Sequence, residues 1–354
     1  MNNTKTWSIL CVVLSLALLL ASGGITAMVD PFFHYHAPME KLEYPLNNQR
    51  YQNDGIVRHF DYDALITGTS MTENFKTSEF DSLFGVTSVK VSYSGGTFPE
   101  LTDNLRRALE ANGNIKTVLM CIDEWFLFSG REMIQASGDY PTYLYDDNPF
   151  NDVQYLLNKD IFCGDTLGVL EYTAAGNTTT SFDDYGSWVF PYDREVVLSN
   201  YQRLDKEAVS PFTQDHADAL RETVTVLLDL AESYPDTEFL FYFPPYSILN
   251  WDNNNQKGIL QRYIDGFRMA SDLLLSRENI RLFSFYTDFD TITDLNNYRD
   301  IVHHSNDINS LLLRRFAAGE YELTPENAEA HWDAVEEFYK NFDYEAIFAD
   351  VNPF

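Results

Sequence analysis

The sequence predicts an α/β fold of three layers, with helices on both faces of a parallel sheet of about five strands and a transmembrane helix at the N-terminus. Three observations predict it. Short apolar runs alternate with amphipathic helical stretches from residue 64 onward, the pattern of strands and crossover helices. No second apolar run matches the N-terminal one in length, so residues 30–354 read as a soluble body. The 354 residues are 45% hydrophobic and 15% aromatic, which supplies a large core.

Thr6 to Val29 is a run of 24 residues without a charge, preceded by Lys5 and followed by Asp30. At about 1.5 Å per residue it can cross a hydrocarbon layer of about 30 Å. An uncleaved single-pass anchor is the expected reading, with the soluble domain outside the cytoplasm. A signal peptide and a secreted product form the alternative, with Ala21-Ser-Gly or Ile25-Thr-Ala27 as small-residue cleavage sites. Residues 30–60 read as a connecting region whose aromatic start, Phe32-Phe-His-Tyr-His36, suits the headgroup level. His34 and His36 alternate as metal ligands on a strand do, but no third ligand accompanies them.

Residues 61–354 read as the α/β domain. Ala64–Thr67 is a buried strand and Met71–Phe84 a helix with a loop. Ser88–Ser92 is a second strand, Phe98–Asn112 a helix, and Thr117–Ile122 a third strand. Residues 130–200 lose this rhythm and read as an insertion of mixed structure. Ala217–Tyr234 is an amphipathic helix. Glu238–Phe243 is a fourth strand, stopped by Pro244-Pro245. Ile259–Arg277 is a helix and Ile280–Phe285 a fifth strand. Ile308–Ala318 and Thr324–Tyr339 close the chain as helices, with Thr324-Pro325 as the expected start of the last one. The sheet expected from this order is flavodoxin-like.

The formal charge of −30 repels phosphate backbones and excludes nucleic acid as a partner class. The acidic clusters lack the spacing of a calcium loop. Cys11, Cys121 and Cys163 form no Cys-x-x-Cys motif, and whether Cys121 pairs with Cys163 is open from sequence. No metal and no cofactor is expected.

Ligands of open parallel sheets bind beyond the carboxyl ends of the strands. Ser70, Gly95, Gly96, Asp123 and Pro244-Pro-Tyr246 all follow strand ends, and Asp300 and His303 lie after the fifth strand. A serine, a histidine and a carboxylate are the groups an acyl-transfer site needs. Ser70 is the candidate nucleophile, His303 the base, and Asp300 the group that holds its tautomer. Each has a plain alternative. Ser70 with Glu73 looks like a capping box. His303 and Asp300 fit an ordinary polar loop, with His304 as a rival base. Gly95-Gly96 fits a simple turn.

These motifs together resemble the SGNH (GDSL-type) hydrolase superfamily over residues 64–123 and 280–315. With the anchor, the chain looks most like envelope-facing members such as the D-alanyl-transfer DltD proteins and the alginate O-acetylation proteins. The resemblance implies catalysis by Ser70, Asp300 and His303. It implies oxyanion donors at Ser70 and at Gly95 or Gly96. The family's Asn donor is replaced by Asp123, for which Asn74 is the expected substitute. The implied activity is a serine-dependent esterase or O-acyltransferase acting on an acylated glycan or cell-surface polymer, with an integral membrane acyltransferase as partner. The alternative is a non-catalytic carbohydrate-binding or acyltransferase-scaffold protein. Trp125, Phe126, Trp188, Tyr192 and Trp251 are then the stacking candidates.

Overall fold

The computed structural model describes residues 2–128 and 140–349. The predicted insertion therefore falls partly, at 130–139, outside the described residues. Six strands form one sheet: β1 (Ala64–Gly68), β2 (Ser88–Ser92), β3 (Thr117–Cys121), β4 (Glu238–Phe243), β5 (Ile280–Ser284) and β6 (Glu322–Leu323). Their order is β2-β1-β3-β4-β5-β6, and the first five are mutually parallel. This is the flavodoxin-like order 2-1-3-4-5, whose connections reverse direction between β1 and β3. Strand β6 pairs antiparallel with β5 through two residues. The sequence reading missed it, because a two-residue edge strand has no periodicity to detect.

Strand residues alternate between two cores, as a pleated sheet requires. Leu65, Val118, Met120, Phe239, Phe241 and Leu282 turn to one face. The helices Phe98–Ala111, Gln214–Ser233, Leu260–Leu274 and Ala328–Asn341 bury their apolar stripes there. Ile66, Leu119, Leu240, Tyr242 and Phe283 turn to the other face, against the helices Thr77–Phe84 and Asn306–Ala318. Both faces of the sheet are thus covered, which is why β1, β2 and β3 are buried at every position.

Two predicted helix starts are corrected. The final helix begins at Ala328, not near Thr324. Thr324 instead closes a turn with Asn327, whose Oδ1 accepts the Thr324 N–H at 2.8 Å. The Ser70–Glu73 capping box is absent, because the Glu73 carboxylate is taken by Gln49 Nε2 and Trp188 Nε1, both at 2.7 Å.

The N-terminal helix α1 (Asn2–Val29) is 28 residues long, and is long and apolar enough to cross a membrane. Its last two turns pack on the body. Gly23, Thr26 and Val29 are buried there, and Thr166 donates to Thr26 Oγ1 at 3.2 Å. Asp30 then accepts the N–H groups of His34, Tyr35 and His36 and the hydroxyl of Tyr155. Residues 30–60, expected to connect, carry the helix Gln49–His59, which buries Ile56 and Val57 in the main core. Among the described residues no group of three potential ligands could hold a metal. His34 contacts Asp152 and Arg58, while His36 faces the carbonyls of Ala27 and Ala37. All three cysteines are free, with Cys121 inside β3 and Cys163 on the surface.

Candidate active site

Strand β1 ends at Gly68, which takes φ +151°; a side chain there would meet Thr72 Cγ2 at 2.6 Å and Cys121 Cβ at 3.1 Å. Only glycine allows this tight exit. Thr69 caps the following single turn, Ser70–Thr72, through its hydroxyl. Ser70 is therefore presented at the carboxyl edge of the sheet, between β1 and β3, where the connections reverse. As the first residue of that turn its N–H has no intrahelical acceptor.

The base comes from the other end of the chain. The loop after β5 is pinned by a bridge between Tyr298 and His304. It is tied to the exit of β4 by Tyr298 OH donating to Pro245 O at 2.7 Å and by Ser247 donating to Ile301 O at 2.8 Å. Within it Asp300 Oδ1 accepts the N–H groups of Val302 and His303 at 3.0 and 2.8 Å. Asp300 Oδ2 lies 2.7 Å from His303 Nδ1, and His303 Nε2 lies 2.7 Å from Ser70 Oγ. With Nδ1–H given to the carboxylate, Nε2 carries the lone pair that accepts the Ser70 hydroxyl. Burial alone would raise Asp300. The bond and charge of His303 and the two backbone donors outweigh it and hold the carboxyl below its ordinary value.

His304 is not a rival in this geometry. It is buried, its Nδ1 faces its neighbour's carbonyl at 3.4 Å, and burial pushes it down to about 4. Trp188 stands edge-on to the His303 ring at 5.5 Å, and Arg299 lies over Phe190 with its Nε 3.4 Å from Asp300.

Ser70 and His303 open on a cavity of about 310 Å³. Thr69, Ser70, Gly95, Asp123, Glu124, Trp125, Tyr246, Asn250, Asn253 and His303 are among its walls. Gly95 takes φ +57° and its N–H has no protein acceptor among the described residues. Gly96 does not serve as the donor, because its N–H closes the turn onto Tyr93 O at 2.7 Å. Asn74 is not among the cavity walls. The helical turn stops at Thr72, and Asn74 points to the 187–188 segment, where its Oδ1 accepts from Ser187 and from the Trp188 N–H. Ser70 and Gly95 both line the cavity.

Asp123 is fully enclosed and accepts the hydroxyls of Thr69, at 2.8 Å, and Tyr246. Burial raises its carboxyl, opposed by those two bonds and by the charge of His303. It ties the residue before the nucleophile to the end of β4. Glu124 beside it takes amide donors from Asn250 and Asn254, and burial pushes it up to about 7.

Sequence reasoning missed Glu124, Asn250 and Asn253 as cavity walls. One signal was present. Asn253-Asn-Asn255 lies in a helix, where asparagine is a poor former, so another demand holds it there. Of the stacking candidates, Phe126 and Trp251 are core residues. Trp125 and Trp188 are half-buried at the site.

No protein-family model matches the chain, and no curated protein matches it. Among solved structures, one from Streptococcus pneumonia, named for platelet activating factor, is 13% identical. It covers 77% of this chain and 90% of its own, at a TM-score of 0.38.

Proposed function

We propose that the protein is an extracytoplasmic serine-dependent esterase or O-acyltransferase whose nucleophile is Ser70. The observation that carries this is the unbroken line from Asp300 through His303 to the Ser70 hydroxyl, with both links at 2.7 Å. Ser70 Oγ attacks an ester carbonyl carbon while its proton passes to His303 Nε2. The N–H groups of Ser70 and Gly95 take the charge that develops on the carbonyl oxygen. The tetrahedral intermediate collapses, the C–O bond to the alcohol breaks, and the alcohol leaves with the proton from Nε2. Water or an acceptor hydroxyl then attacks the acyl-serine by the same steps in reverse.

An acylated glycan or other cell-envelope polymer is the substrate class that suits an anchored enzyme. An uncleaved anchor is supported by the packing of Gly23, Thr26 and Val29 on the body, since either cleavage site would cut through that packed segment. Transfer rather than hydrolysis would draw its acyl group from an integral membrane acyltransferase.

The test is turnover of p-nitrophenyl acetate and of an O-acetylated polysaccharide by the full chain. Ser70→Ala is expected to lower kcat by at least about 10³-fold. Turnover unchanged in Ser70→Ala overturns this nucleophile.

A further inference from the structure

We propose that residues 150–157 form a collar seated in the lipid headgroup boundary, directly beside the point where α1 leaves the bilayer. This rests on reading α1 as a membrane span. Counting about 1.5 Å per residue from the start of the uncharged run, Thr6 to Ile25 covers about 30 Å, the thickness of the hydrocarbon layer. Gly23 then lies in the last turn of that span, where hydrocarbon meets headgroups.

The collar touches the helix at that level. A side chain at Gly23 would meet Leu157 Cδ2 at 3.1 Å and the Leu156 carbonyl at 3.4 Å. One turn further on, Thr166 donates to Thr26. The short helix Val153–Leu156 is thereby held against α1 by its own packing rather than by a flexible tether.

The face it leaves open is apolar. Phe150 is 88% exposed, Val153 52% and Leu157 44%. Val153 opens the short helix Val153–Leu156, Leu157 follows it, and Phe150 lies in the turn before it. Tyr155, between them, turns inward and anchors the collar through Asp30 at 2.7 Å. Ile25 and Met28, in the last turns of α1, are exposed as well. Exposed apolar side chains are thus present both on the last turns of α1 and on the collar packed against it. Lys159, almost wholly exposed two residues beyond Leu157, lies 3.7 Å from the exposed Asp160 and is long enough to reach a lipid phosphate instead. Large side chains this exposed are expensive in water, and the adjoining span names what covers them.

The test uses the full chain in phosphatidylcholine vesicles whose acyl chains carry a diazirine near the carboxyl end. After irradiation, lipid adducts are mapped by peptide mass spectrometry. Val189 and Val209, 78% and 73% exposed elsewhere on the body, are the internal reference for chance labelling. The expected result is labelling of α1 and of the 150–157 peptide, the latter at least five-fold above the peptides holding Val189 and Val209. Phe150→Ser with Val153→Ser should lose the collar adducts and keep those of α1. Labelled α1 with collar adducts at the reference level overturns the collar, as when a protein partner covers that face. Absence of adducts on α1 overturns the span and the collar with it.

Discussion

His303 and His304 are neighbours with opposite fates. One ring is half-exposed between a carboxylate and a hydroxyl, and the other is enclosed and held neutral. Asp300 does two jobs with one carboxylate. Oδ1 shapes the loop by accepting two backbone N–H groups, and Oδ2 fixes the His303 tautomer. An Asp300→Asn variant that keeps its oxygen as the loop acceptor turns NH₂ toward Nδ1, which must then accept, so the tautomer is reversed and Nε2 carries the proton. Its kcat for ester hydrolysis should fall by about 10³–10⁴-fold, whereas His304→Gln should stay within about three-fold of the parent. Steady-state kinetics on p-nitrophenyl acetate separates the two. A His304→Gln loss as large as that of His303→Gln would contradict the assignment of the base.

At the scale of elements, the strands were the most legible part of the chain. Ser88–Ser92 and Glu238–Phe243 have the bounds their composition implies, because β-branched and aromatic runs flanked by turn residues leave few alternatives. The turn after β1 was less legible, because tertiary partners decide it. Glu73 reads as a cap partner in sequence but is claimed by Gln49 and Trp188 from distant segments. Lys90 gave no signal of its part in the site. It lies wholly buried in β2, and its Nζ donates to Glu73 O at 2.5 Å and Phe75 O at 3.0 Å, holding the chain just past Ser70. Burial lowers it to about 8, against the pull of Asp183, Glu73 and Asp184. Lys90→Met leaves those carbonyls without a donor and should cost about 2–4 kcal/mol at pH 7. The sign with pH follows from the lowered pKa. The burial penalty of the charged amine is present below about pH 8 and is relieved as pH rises toward the unfolded value of 10.5. The stability gap between parent and Lys90→Met, from urea melts, should therefore widen between pH 8 and 10. A gap that narrows would show that the charge itself stabilises the turn.

At the scale of the whole molecule, the strand order assembles the site. Connections reverse between β1 and β3, so the ends of both strands are free of crossover helices and deliver Ser70 and Asp123 to one opening. The segment after β5 returns to the same edge and brings His303 to a residue 233 positions earlier. Alternating strands and helices made the layers readable, and the order of motifs made the meeting of Ser70, Asp300 and His303 readable. Neither pattern carries the long-range bonds that turn Asn74 and Gly96 away from the cavity and leave Gly95 facing it. The net charge of −30 sets a field that disfavours a polyanionic ligand at the Ser70 cavity.

The most direct measurement is the mass of the full chain after reaction with a fluorophosphonate, followed by peptide mapping. The hydroxyl activated by His303 should carry a single phosphonyl group on Ser70, lost in Ser70→Ala and slowed at least about 10²-fold in His303→Ala. A phosphonyl group on any other residue, or equal modification of parent and Ser70→Ala, would contradict the account.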